Sequence, residues 1–126
     1  MVGIVIVSHS QKLAEGVVDL ASLMEPETPM RAAGGMDDGG FGTSFEKINT
    51  AIDEIYSDDG VIILMDMGSA VMTTEMVLEM MEDRKVTMAD CPVVEGAIAA
   101  AVVAAGNAPM EDVIQVAEAA KTTAKF

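Results

Sequence analysis

Val2-Gly3-Ile4-Val5-Ile6-Val7 runs straight into Ser8-His9-Ser10 at the head of this 126-residue chain. An unbroken, mostly β-branched run of this length has no polar face. It therefore predicts a strand covered on both sides, as in the middle of a parallel sheet. Open parallel sheets collect their chemistry beyond the carboxyl ends of the strands. His9, the single histidine of the sequence, is expected at that edge, just before a helix. Imidazole can be neutral and nucleophilic near neutral pH, so the position suits a reacting group. It equally suits a helix-start residue that happens to be histidine, and position alone leaves both readings open.

Outward from this strand, helix and strand patterns alternate. Gln11–Met24 carries Leu13, Val17 and Leu20 at helical spacing, and Pro26 and Pro29 bracket its exit. Met30–Ala33 predicts a short second strand, followed by the glycine-rich loop Gly34-Gly35-Met36-Asp37-Asp38-Gly39-Gly40-Phe41-Gly42. Thr43-Ser44-Phe45-Glu46 has the form of a capping box with Thr43 at the cap. The helix it opens would run to about Tyr56, with Phe45, Ile48, Ile52 and Ile55 on one face. Val61–Met65 is a second fully apolar strand, broken at Asp66-Met67-Gly68-Ser69. Ala70–Met81 reads as a helix and Lys85–Met88 as a short fourth strand. Val93–Ala105, ended by Gly106, and Met110–Ala120, with Pro109 placed for a first helical position, read as two closing helices. This order predicts one α/β domain over residues 1–126, with a doubly wound, mainly parallel open sheet.

Composition narrows the partners. Seven basic residues against 21 acidic ones give a formal net charge of −14, which argues against nucleic acid and anionic membrane surfaces. The same charge favours a protein partner with a basic face. With Met1-Val2-Gly3 opening directly into the first strand, no leader is expected, and the Ala-rich stretch Gly96–Gly106 is too short to span a bilayer. One cysteine, Cys91, forbids an internal disulfide, in keeping with a cytoplasmic location. One His and one Cys cannot assemble the usual zinc set, so no metal site is expected.

Three strand-to-helix junctions carry the unusual residues: Ser8-His9-Ser10, the loop closing on Gly42-Thr43-Ser44, and Asp66-Met67-Gly68-Ser69. In a parallel sheet all three open on one edge. Glycines permit close backbone approach, helix starts offer unpaired N–H groups, and Thr43, Ser44 and Ser69 add hydroxyls. Together these donors suit phosphoryl oxygens. The loop has no lysine and no GxGxxG follows the first strand, so neither a P-loop nor a dinucleotide site is expected. An imidazole beside an anion cradle without nucleotide machinery suits a covalent phosphohistidine, with Asp66 orienting His9 and Gly42, Thr43, Gly68 and Ser69 around the phosphate. Which ring nitrogen would react stays open. Met67, Gly35, Met36 and Phe41 would form an apolar docking surface around the site.

These pieces resemble a known family. Gly3-Ile4-Val5-Ile6-Val7-Ser8-His9-Ser10, Ala33-Gly34-Gly35 leading to Gly42-Thr43-Ser44, Asp66-Met67-Gly68-Ser69-Ala70 and Val94-Glu95-Gly96-Ala97 occur in the order seen in mannose-type enzyme IIA proteins. The Gly-Thr-Ser and Asp-x-Gly-Ser pieces resemble the branch serving phosphotransferase-system-dependent dihydroxyacetone kinases more than the sugar-transport branch. The resemblance implies a homodimer in which His9 accepts a phosphoryl group from the histidine phosphocarrier HPr and passes it to ADP. The ADP and its Mg²⁺ would sit in the nucleotide-binding kinase subunit, so this chain would bind no cofactor itself. Ending at Phe126, it would take its phosphoryl group from a separate protein. Met36, where Thr is more usual, and Thr73, where Asn is expected, depart from the family pattern. The alternatives are a sugar-transport enzyme IIA, a non-catalytic anion-binding regulatory module, and a phosphoaspartate receiver using Asp66. The last lacks the acidic cluster such receivers need after the first strand.

Overall fold

A computed structural model describes residues Met1–Phe126. Four strands, β1 (Gly3–Ser8), β2 (Met30–Gly34), β3 (Val61–Met65) and β4 (Val86–Met88), form one sheet in the order β2-β1-β3-β4. Every pairing is parallel. The five helices are α1 (Gln11–Met24), α2 (Phe45–Ile55), α3 (Ser69–Glu79), α4 (Val93–Ala105) and α5 (Met110–Ala119).

The apolar run of β1 divides by alternation between two cores. Ile4 and Ile6 face one side with Ile62 and Leu64 of β3, beneath Ala14, Val17 and Ala21 of α1 and the small residues Ala97, Ala100, Ala101 and Ala104 of α4. Val5 and Val7 face the other side with Val61 and Ile63, beneath Ile48 and Ile52 of α2 and Ala70 and Val77 of α3. All eight strand residues named here are fully buried. Each such side chain stabilises the fold by about 1.5–3 kcal/mol relative to exposure. The two central strands are thus fixed from both faces, and so is the register Val7↔Met65 between them. That register carries Ser8 and Asp66 out of the sheet side by side.

The helix starts depart from expectation in three places. Ser44, not Thr43, caps α2, its Oγ accepting the N–H of Lys47 at 3.2 Å. Two adjacent hydroxyls compete for one cap, and Thr43 is instead engaged by Thr73 of α3, Oγ1 to Oγ1 at 2.9 Å. Helix α3 begins at Ser69, and Pro109 is the cap of α5 rather than its first helical residue.

Gly34 brings the glycine-rich loop to the sheet edge. A Cβ there would lie 2.5 Å from the Ser10 carbonyl and 2.7 Å from Cβ of Ala14. Only a residue without a side chain lets β2 end directly under the start of α1.

Candidate functional site

His9 follows the last residue of β1, and Ser10 caps α1 with its Oγ accepting the N–H of Leu13 at 3.2 Å. The imidazole is held at both nitrogens by the β3–α3 junction. Nδ1 lies 3.0 Å from Oδ1 of Asp66, and Nε2 lies 2.7 Å from Oγ of Ser69. The His9 side chain is 26% exposed and that of Asp66 20%, so the ring is open to a partner while its carboxylate neighbour is mostly enclosed.

Four donors converge on Asp66. Oδ1 takes the His9 ring and the N–H of Met67 at 2.7 Å. Oδ2 takes the backbone N–H of His9 at 3.0 Å and the hydroxyl of Ser8 at 2.9 Å. Burial pushes this carboxyl up. The donors from His9, Ser8 and Met67 outweigh it and hold Asp66 below the usual carboxylate value of 3.8. An ionised carboxylate only accepts, so the Nδ1–H of His9 must donate to it. That tautomer leaves the lone pair on Nε2, where the Ser69 hydroxyl donates.

The glycine-rich loop supports this arrangement from beneath. The Gly42 N–H donates to the His9 carbonyl at 2.9 Å, and the Gly35 N–H to the Ser8 carbonyl at 3.1 Å. Gly42 has φ +139°, and a Cβ there would lie 2.8 Å from Sδ of Met36, so the close contact with His9 depends on glycine. Its amide therefore positions the histidine and is not free for a phosphate. By contrast, the N–H groups of Gly68 and Ser69 make no hydrogen bond within the chain, and they open α3 beside Nε2. The Thr43 hydroxyl is tied to α3 through Thr73 rather than bonded to the histidine.

Exposed apolar side chains occur on the loops that carry the site. Phe41 is 86% exposed, Met67 66% and Met36 40%. Gly35, expected on the same surface, is buried under the loop by its bond to Ser8 and cannot meet a partner. Cys91 lines a cleft of about 440 Å³ that Asp66 also lines, with Met65, Val71 and Met88. Burial, then the nearby Glu118 and Asp90, push its thiol up to about 11, so it is no competing nucleophile.

Sequence reasoning gave Ser8 no role, although it is fully buried and bonded to Asp66. The available signal was parallel register: Val7 opposite Met65 puts the next residue of each strand side by side.

The family model for the EIIA-man domain, described as the PTS system fructose IIA component, matches residues 3–114. A phosphoryl donor subunit DhaM of a PEP-dependent dihydroxyacetone kinase from Listeria innocua is 41% identical, over 79% of this chain and 78% of the relative. The chain belongs to the EIIA-man family, on its DhaM branch. A Lactococcus lactis DhaM, the phosphotransferase subunit of a PTS-dependent dihydroxyacetone kinase, is 37% identical over 86% of this chain and 87% of its own. The Escherichia coli DhaM is 41% identical over 90% of this chain, which spans only 26% of that longer relative. Among solved structures, EF1359, a protein of unknown function, matches this EIIA-man chain with a TM-score of 0.86 at 28% identity, over 99% of this chain and 98% of that one. A sigma-54 interaction domain protein from Enterococcus faecalis shares the EIIA-man fold, with a TM-score of 0.74 at 17% identity over 93% of this chain and 87% of that one. No helix is long and apolar enough to cross a membrane.

Proposed function

We propose that this chain is a phosphohistidine carrier that loads Nε2 of His9 from phospho-HPr and unloads it to ADP. The ADP is held, with its Mg²⁺, in the nucleotide-binding subunit of a cytoplasmic dihydroxyacetone kinase. The observation that carries the reading is the pair of contacts at the ring: with the Asp66 carboxylate at Nδ1 the proton belongs there, which leaves the lone pair of Nε2 facing the Ser69 hydroxyl. In loading, Nε2 attacks the donor's phosphorus as the donor's N–P bond breaks. The ring then bears positive charge, which the Asp66 carboxylate balances across the Nδ1–H bond. Ser69 turns its hydroxyl from Nε2 to a phosphoryl oxygen, joined by the unengaged amides of Gly68 and Ser69. In unloading, a β-phosphate oxygen of ADP attacks, and the bonding pair returns to Nε2. The relatives' names, phosphoryl donor subunits of dihydroxyacetone kinases, favour this acceptor over a transported sugar. Phe41, Met67 and Met36 form the apolar contact for both partners, within an acidic surface suited to basic docking faces.

Incubation with phosphoenolpyruvate, enzyme I and HPr tests this. The expected product is one acid-labile, base-stable phosphoryl group per chain, absent in His9→Ala. No adduct on the unsubstituted chain, or an adduct that survives His9→Ala, overturns the reading.

A further inference from the structure

A polarised relay enters the site from behind. The backbone N–H of Ser10 donates to Oγ of Ser8 at 3.0 Å, and Oγ of Ser8 lies 2.9 Å from Oδ2 of Asp66. An amide can only donate, so the Ser8 hydroxyl receives there and directs its own proton at Asp66. The backbone N–H of His9 occupies the same carboxylate oxygen, and the N–H of Met67 the other. Every group around Asp66 other than the imidazole is thus a fixed donor, and Asp66 can only receive the ring's proton. Ser8 is fully buried, so no solvent can substitute for its hydroxyl.

We infer that Ser8 is a positioning residue for the transfer: its hydroxyl locks the rotamer and charge of Asp66 and so determines which nitrogen of His9 reacts. The inference rests on the carrier reading above and deepens it. The Ser10 amide, which also begins the turn into α1, fixes the Ser8 hydroxyl as a donor to Asp66; from the other side Ser69 donates to Nε2 of His9 and the Nδ1–H of His9 donates to Asp66, so both arms converge on the carboxylate. Without the Ser8 hydroxyl, Oδ2 keeps one donor in place of two. The carboxylate can then rotate toward the solvent side, and the ring can place its proton on either nitrogen. A bond from a neutral donor to a buried charge is among the stronger hydrogen bonds, so its loss corresponds to roughly a ten- to hundredfold fall in transfer rate.

The test is ¹⁵N NMR of His9 with single-turnover transfer from phospho-HPr. In the unsubstituted chain at neutral pH, the neutral ring is expected almost wholly as the Nδ1–H tautomer. Ser8→Ala is expected to show a mixture of tautomers and the stated fall in rate. Ser8→Thr, which keeps the hydroxyl, is expected to recover the Nδ1–H signature and most of the rate. A predominantly Nε2–H ring in the unsubstituted chain overturns the inference without any variant, so a Ser8→Ala chain that fails to fold does not protect it. Ser8→Ala with an unchanged tautomer, or Ser8→Thr as impaired as Ser8→Ala, also overturns it. Phosphoramidate, which phosphorylates histidine without a protein donor, separates this failure from that of the carrier reading. A chain whose tautomer responds to Ser8 but which accepts no phosphoryl group keeps the relay and loses the carrier. A carrier whose tautomer ignores Ser8 does the reverse.

Discussion

Asp66→Asn tests the central chemistry most directly, because the substitution keeps the shape of the carboxylate and changes its charge and donor pattern. Four donors meet the two oxygens of Asp66, two on each. An amide offers one oxygen and one NH₂ group, so it must set a donor against donors on one side. If its oxygen faces the ring, its NH₂ confronts the backbone N–H of His9, and the Ser8 hydroxyl must reverse. If its oxygen faces Ser8 and the His9 N–H, its NH₂ confronts the Met67 N–H and forces the ring to accept at Nδ1. That second orientation moves the ring proton to Nε2 and removes the nucleophile. In the first, the nucleophile survives but nothing balances the charge that develops on the ring. Loss of such electrostatic stabilisation costs about 2–4 kcal/mol in comparable enzyme sites, or roughly 30- to 1,000-fold in rate. The donor conflict costs a further 1–3 kcal/mol of stability at most, against about 5–15 kcal/mol for a typical domain, and partial exposure softens it. Rapid-quench measurement of transfer from phospho-HPr, with a urea melt alongside, reads both quantities. A folded Asp66→Asn chain that transfers within a few-fold of the unsubstituted rate would refute the tautomer argument.

Thr74 offers a test of packing apart from the chemistry. Its hydroxyl is fully buried in α3 with no partner, so the isosteric Thr74→Val is expected to stabilise the domain by about 1 kcal/mol and raise its melting temperature by about 4 °C. Calorimetry checks this, and a lowered midpoint would contradict it. Salt offers a test of docking. With seven basic residues against 21 acidic, kcat/KM for transfer from HPr is expected to fall several-fold as ionic strength rises through about 0.1 M, where the screening length is about 10 Å. A flat dependence would remove electrostatic steering from the account.

The parts of this fold legible in the sequence were those where one physical signal acted alone. Val2–Val7 and Val61–Met65 could be only buried strands, because no polar face interrupts them. Helix α1 matched its expected bounds at Gln11 and Met24, and α4 at Val93 and Ala105, where Ser10, Pro92 and Gly106 mark the limits. Competing signals blurred the rest. Thr43 and Ser44 both offer a capping oxygen, and only the meeting of α2 with α3 at Thr73 decides which is used. At the site, the residue types named His9, Asp66 and Ser69, since an imidazole, a carboxylate and a hydroxyl at strand ends are conspicuous. Their reciprocal bonds depend on strand register, which periodicity does not give. Ser8 reads as a strand's last residue, and Gly35 as a surface loop glycine, until β1 and β2 are set side by side. The protonation of the His9 ring was illegible for the same reason: it follows from groups on two segments far apart in the chain, Ser8–Ser10 and Asp66–Ser69.

The imidazole follows the end of β1, while the two groups that grip it, Asp66 and Ser69, sit on the junction between β3 and α3. Side chains alternate between faces along a strand, so sliding one of these strands by a single residue would send the carboxylate to the wrong side altogether. The reactive centre consequently has no durability separate from the sheet that bears it. Whatever loosens the grip of Ile62, Ile63 and Leu64 upon their neighbours disarms the histidine long before anything touches it.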